Sequence, residues 1–109
     1  MIVFRYKSSV ELAWFFGALH SLGLFAKVDM ELKKSSEESG KLEMTPRTML
    51  ASTVLLQELF DGDMSNFAEQ VEVNDRGPFG TEECALWRTL LMSRPLRNDN
   101  PVLLPDYLG

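Results

Sequence analysis

The sequence predicts a single α+β domain: a small antiparallel β-α-β-β sheet built from residues 1–45, packed against three or more helices that dominate the second half. Three observations carry this. "IVFRYK", "AKVDMELKK" and "KLEMT" alternate apolar and polar residues with the period of two expected of strands. Between the first two, "VELAWFFGALHSLGLFA" repeats apolar residues at helical spacing. Beyond residue 45, Thr, Pro and Gly stand where helices open and close. At 109 residues, folding buries about two-thirds of the unfolded chain's surface, which suffices for one core. Apolar and charged fractions of 45% and 25% are those of a globular domain and exclude a disordered or fibrous one.

In the first strand Ile2, Phe4 and Tyr6 share one side and Val3, Arg5 and Lys7 the other. Ser8, three residues before Glu11, has capping-box spacing: hydroxyl and carboxylate each satisfy a free N–H at a helix start. The helix is expected to run to Leu22 and stop at Gly23, with Leu12, Phe15, Phe16, Leu19 and Leu22 as its core stripe. Val10, Ala13, Trp14, Gly17 and Ala18 leave its opposite side nearly as apolar, so a second cover is expected there. Trp14 and the small residues Gly17 and Ser21 make a homodimer interface the natural candidate. The stretch is short of the roughly 20 apolar residues of a membrane span and contains Glu11, His20 and Ser21, so it reads as a buried helix and no membrane partner is expected.

Val28, Met30 and Leu32 form the apolar side of the second strand and Leu42 and Met44 that of the third. "SSEESG" lies between them, with Gly40 placed to close a hairpin in a left-handed conformation. Thr45 as cap and Pro46 at the first helical position predict a helix to Phe60, its stripe Met49, Leu56, Leu59 and Phe60. β-branched Thr48, Thr53 and Val54 leave a strand through "TMLASTVLL" as the competing assignment. A short helix is expected between Met64 and Val71. Thr81 then caps a last helix with Glu82 and Glu83 in its first turn, a buried side of Leu86, Trp87, Leu90 and Leu91, and Pro95 as its end. Residues 1–95 thus form the core and 96–109 an extended tail, whose Val102, Leu103, Leu104, Tyr107 and Leu108 are expected to pack along their own domain.

"DGDMSNFAEQVE" resembles an EF-hand calcium loop over some twenty residues. Asp61, Asp63, Ser65, Glu69 and Glu72 fall at the first, third, fifth, ninth and twelfth positions. The resemblance implies weak divalent-cation binding through 61–72. Three departures oppose it: Asn66 where glycine makes the turn, Ala68 where a larger aliphatic residue pairs with a second loop, and "VNDRGPFG" where the exiting helix should continue. The preferred reading is that Gly62 ends one helix and Asp63 or Ser65 caps the next, with no metal site.

The net charge is −5, and it is unevenly placed. Within residues 58–83, Glu58, Asp61, Asp63, Glu69, Glu72, Asp75, Glu82 and Glu83 face Arg76 alone, a local charge of −7. Such a segment steers a basic protein partner and disfavours direct nucleic-acid binding, which needs a basic patch. Catalytic chemistry has little support. His20 has no carboxylate at a local spacing to orient it and reads as a core or interface histidine. Cys84 reads as a buried structural thiol, and no phosphate loop, nucleophile elbow or zinc spacing occurs. No cofactor is expected. One cysteine implies a reducing, cytoplasmic setting, and "MIVFRYKSSVE" lacks the layout of a signal peptide, so the mature chain is expected to start there. The expected function is non-enzymatic: an adaptor or inhibitor presenting 58–83 to a basic partner, similar in size and charge to compact antagonists that viruses and phages encode. The alternative is an assembly subunit that oligomerises through helix 10–22 and the C-terminal tail.

Overall fold

A computed structural model describes residues 1–99, with side chains described for residues 1–93. The chain runs β1 (Ile2–Tyr6), α1 (Ser9–Ser21), β2 (Val28–Lys34), β3 (Gly40–Pro46), α2 (Met49–Asp61), β4 (Val71–Val73) and α3 (Gly80–Asp99), with 3-10 turns at Phe25–Lys27 and Ser65–Gln70. The strands form one antiparallel sheet in the order β2-β3-β1-β4. β3 lies between β1 and β2, and β1 between β3 and β4, so α1 and α2 each cross one intervening strand. This is the doubled split β-α-β connectivity of ferredoxin-like sheets, extended by α3. The α+β class stands as the sequence predicts it, and that connectivity assigns no activity by itself.

Both crossover helices pack on the sheet face that carries Ile2, Phe4, Tyr6, Leu42 and Met44. α1 contributes Phe15 and Leu19 to that core, α2 contributes Leu55, Leu56, Leu59 and Phe60, and α3 contributes Trp87. At its centre Phe4 and Phe15 stack with centroids 4.0 Å apart, and Phe67 meets each edge-on at 5.2 Å.

Local signals explain the ends of α1. The Ser8 hydroxyl accepts the Glu11 N–H at 3.2 Å, while the Glu11 carboxylate accepts the Lys7 N–H at 2.8 Å. The reciprocal bond of the capping box is thus made one residue early. At the other end Gly23 takes φ 72°, and the N–H groups of Gly23 and Leu24 reach the carbonyls of His20 and Leu19. This Schellman pattern needs a residue free to adopt the left-handed region.

Several expectations are corrected. The sheet has a fourth strand: Val71–Val73 is too short to show a period, and its register comes from the free edge of β1. Thr45 and Pro46 belong to β3, and Thr48 caps α2 by accepting the Ala51 N–H at 3.1 Å. The expected helix to Phe60 stands and the competing strand through "TMLASTVLL" does not, because the apolar residues of α2 at 51, 55, 56 and 59 meet the core at helical spacing. Gly40 pairs inside β3 without a positive φ; a Cβ there would lie 2.5 Å from the Lys33 carbonyl oxygen and 2.6 Å from the Tyr6 hydroxyl. Gly62 does close α2, but neither Asp63 nor Ser65 caps the turn that follows. The last helix starts at Gly80, which places Thr81 inside it, and Leu91 is exposed. It continues past Pro95 to Asp99, because a proline removes one helical hydrogen bond without forbidding the following turn. Residues 96–99 therefore belong to α3; the expectations for residues 100–109 lie outside the described residues.

The Tyr6 hydroxyl is buried and has no hydrogen-bond partner among the described residues. Removing a polar group that makes no bond relieves its desolvation cost. Tyr6→Phe is therefore expected to leave stability unchanged or raise it by up to about 1 kcal/mol. Urea denaturation checks this, and a loss of more than about 1 kcal/mol would mean that the hydroxyl is satisfied.

Candidate interaction surfaces

The sheet and the core cover only one side of α1. Its outer side is Val10, Ala13, Trp14, Gly17 and Ser21, all exposed, and Phe25 in the following turn is exposed beside His20 at its edge. Trp14 is 63% exposed, Val10 52% and Phe25 44%. Phe25 stands edge-on to Phe16 with centroids 5.8 Å apart and tilts toward the His20 ring at 6.2 Å. His20 is thus exposed near the carboxyl end of α1, not in the core. The one charged side chain of the helix, Glu11, is drawn back to the body of the domain by the Lys7 N–H and the Gln70 amide. These two bonds, the first the larger, hold its carboxyl below the ordinary carboxylate range. Leu50 and Val54 on α2 and Leu91 and Met92 on α3 are also exposed, and among the described residues each pair spans less of its helix than the strip from Val10 to Ser21.

The structure does not bring the eight carboxylates of 58–83 onto one surface. α2 and α3 start at the same end of the domain, where Ser52 in the first turn of α2 meets Glu83 in the first turn of α3. Glu58, Asp61, Asp63 and Glu69 lie toward the other end; along α2, Glu58 is about 9 Å and Asp61 about 14 Å from Ser52. There Glu58 also accepts the Asp63 N–H at 2.8 Å, tying down the chain as it leaves the helix. Asp75 and Glu82 stay at the starting end, exposed, with Arg76 beside Asp75. Glu72 sits on the opposite face of the sheet in a 2.9 Å ion pair with Arg5. Glu83 leaves the set altogether: it is 1% exposed.

Glu83 is the hub of a buried polar cluster. One carboxylate oxygen pairs with the Met1 α-ammonium at 2.5 Å, and the other accepts the Ser52 hydroxyl at 2.6 Å. The same ammonium donates to the carbonyls of Asn74 and Arg76. Two helix starts converge on this anion, so both backbone dipoles favour its charge. The signal was present in the sequence: Glu83 precedes Trp87 by one helical turn and so shares the buried stripe of α3.

The open face of the sheet is a balanced charge lattice. Glu31, Glu43, Val3 and Glu72 form one cross-strand row, and Lys33, Lys41 and Arg5 the next. Like charges oppose each other within a row, and diagonal pairs compensate: Lys33 and Lys41 lie 3.2 and 3.6 Å from Glu43. The hydrogen bond from Lys33 is the main cause that holds the Glu43 carboxyl below its ordinary range, with the charges of Lys33, Lys41 and Arg76 adding to it and burial opposing it. A carboxyl with a depressed native pKa contributes stability above the unfolded-state value, and loses it as pH falls through the native value. Between roughly pH 5 and pH 3 the protein is therefore expected to lose stability more steeply than Glu43→Gln does. Urea midpoints at several pH values measure this, and identical pH profiles would remove Glu43 as a cause.

No family model, curated protein or solved structure matches this chain. The surfaces themselves therefore carry the functional argument. The segment that resembles a calcium loop departs further from that pattern in three dimensions, since residues 69–72 pass from a 3-10 turn into β4 and Glu72 turns to Arg5. Among the described residues, no three His, Cys, Asp or Glu side chains are grouped to hold a metal ion. Cys84 is half-buried rather than buried, with Sγ 3.7 Å from the Val73 carbonyl oxygen. It lines an open cavity of about 250 Å³ with Val73, Trp87, Arg88 and Leu91. Among the described residues no helix is long and apolar enough to cross a membrane.

Proposed function

We propose that this chain is a non-enzymatic protein-interaction module whose main contact surface is the uncharged outer face of α1. The observation that carries the reading is Trp14, exposed at mid-helix between Val10 and Gly17. An indole left this far in water forgoes roughly 3–4 kcal/mol of burial. Tryptophan is also among the side chains most enriched where binding energy concentrates. A reducing, cytoplasmic setting belongs to the proposal and is supported by the single free thiol, Cys84. The open face of the sheet offers no aromatic side chains for base stacking, and its one basic row, Lys33, Lys41 and Arg5, is balanced by the acidic row beside it, which favours a protein partner over a nucleic acid.

One observation favours a second reading, in which a basic partner docks at the end of the domain that carries Glu58, Asp61, Asp63 and Glu69. The carboxyl end of the α2 dipole adds negative potential there. Affinity capture from source cells separates the two, using the wild type, Trp14→Glu, and the triple variant Glu58→Gln/Asp63→Asn/Glu69→Gln. Proteins, further copies of this chain included, that survive high salt and the triple variant but are lost with Trp14→Glu support the α1 face. Loss in the triple variant and in high salt alone transfers the function to the acidic end.

A further inference from the structure

We infer that the occupant of the α1 face is a second copy of this chain, packed antiparallel across a two-fold axis at Gly17; the inference rests on the α1 reading above. Gly17 supplies the first argument. A Cβ at this position would meet nothing within 4 Å, and the residue has no positive φ. The fold of the chain itself therefore does not need glycine here, although an exposed mid-helix glycine destabilises the helix relative to alanine. A glycine with Ala13 and Ser21 one turn to either side gives what an approaching helix backbone needs, a shallow surface at the crossing point.

Charge supplies the second. The chain carries −5, and the strip from Val10 to Ser21 presents no formal charge outward, since Glu11 is turned back to Lys7 and Gln70. A basic partner gains nothing electrostatic on this strip and is drawn instead to the carboxylates elsewhere. Two copies of an acidic chain, by contrast, meet least repulsion there.

Area and symmetry supply the third. Trp14 and Phe25 together leave roughly 200 Å² of aromatic surface in water. Doubled by a two-fold axis, these two rings supply about 400 Å² of the roughly 1,200 Å² in total that a small stable interface buries, and Val10 and the small residues between add to it. With the axis at Gly17, residue 17 − k of one copy faces residue 17 + k of the other. Ala13 then meets Ser21 where the backbones approach, Trp14 comes level with the smaller His20 ring, and the two helix dipoles oppose. A parallel pair would set Trp14 against Trp14 and leave the small residues facing a gap.

Analytical ultracentrifugation of the full chain across micromolar concentrations tests the partner, and cross-linking tests the arrangement. The expected result is a reversible dimer weakened at least about 30-fold by Trp14→Glu and by Gly17→Leu, with unchanged circular dichroism for both variants. In a Cys84→Ser background, Gly17→Cys is expected to form an intermolecular disulfide readily and Val10→Cys poorly, since only residue 17 faces itself within bridging distance. A chain that stays monomeric throughout overturns the second copy as occupant while leaving the α1 docking face intact. A dimer indifferent to both substitutions forms through another surface and overturns the inference, while the α1 reading falls only if capture of partners also ignores Trp14→Glu. Equal cross-linking through residues 10 and 17 overturns the antiparallel arrangement.

Discussion

Glu83→Ala is expected to destabilise the protein by about 3–5 kcal/mol, the cost of breaking a buried ion pair by removing one partner. The carboxylate is nearly inaccessible, holds the Met1 ammonium and the Ser52 hydroxyl, and lies in the first turn of α3 against the first turn of α2. Its removal leaves a poorly solvated ammonium with two carbonyl acceptors and a buried hydroxyl with none of its present bonds. For a domain of this size the loss lowers the melting temperature by very roughly 15 °C. Glu83→Gln, which keeps the shape and one acceptor, is expected to fall between the two. Ser52 tests the assignment further, because its hydroxyl acts through Glu83. In a double-mutant cycle, Ser52→Ala and Glu83→Ala should be non-additive by about 1.5–3 kcal/mol, the range for hydrogen bonds to charged groups. Additive losses, or a Glu83→Ala cost below about 1 kcal/mol, would show that the cluster does not hold the two helix starts together.

Period and capping chemistry made most of the fold legible in the sequence. The alternation in β1, β2 and β3 gives both the strands and the face that carries Ile2, Phe4, Leu42 and Met44. Ser8, Glu11 and Gly23 bound α1 through bonds that form within a few residues, which is why they read correctly. β4 did not read, because three residues carry no period and their strand conformation is imposed by β1, about 70 positions away. Local chemistry does not distinguish Thr48 from Thr45-Pro46 as the cap of α2; the difference lies in Pro46, which pairs with Val28 across the sheet. The exposed strip of α1 was legible, since Trp14, Gly17 and Ser21 stand opposite Phe15 and Leu19 on one helix. The acidic segment was not. Its carboxylates are close in sequence but not in space, because β4 and its flanking turns return the chain to the starting end of α2 before Glu82 and Glu83. Charge counts along a chain carry no such geometry.

Phe15→Ala is the other change expected to be severe, at about 3–5 kcal/mol. Phe15 is fully buried, stacks on Phe4 with planes 8° apart, and meets the Phe67 edge at 5.2 Å. Three elements contribute to this knot: β1, α1 and the 3-10 turn before β4. Truncation removes the transfer free energy of the ring and leaves a cavity that the sheet, fixed by its hydrogen bonds, closes poorly. It also removes the aromatic pair energies, of about 0.5–1.5 kcal/mol each. Phe15→Leu, which refills part of the volume, is expected to recover at least half of the loss. Urea denaturation checks both: the midpoint should fall with the slope unchanged, because the surface exposed on unfolding stays nearly the same. The same variants separate stability from the proposed docking, since Phe15 faces the sheet and Trp14 faces solvent from the adjacent position. Phe15→Leu should weaken folding while leaving association of the folded protein intact, and Trp14→Glu should do the reverse. If Trp14→Glu instead destabilises the dilute protein as much as Phe15→Leu does, the indole packs within its own domain and the outer face of α1 is not a docking surface.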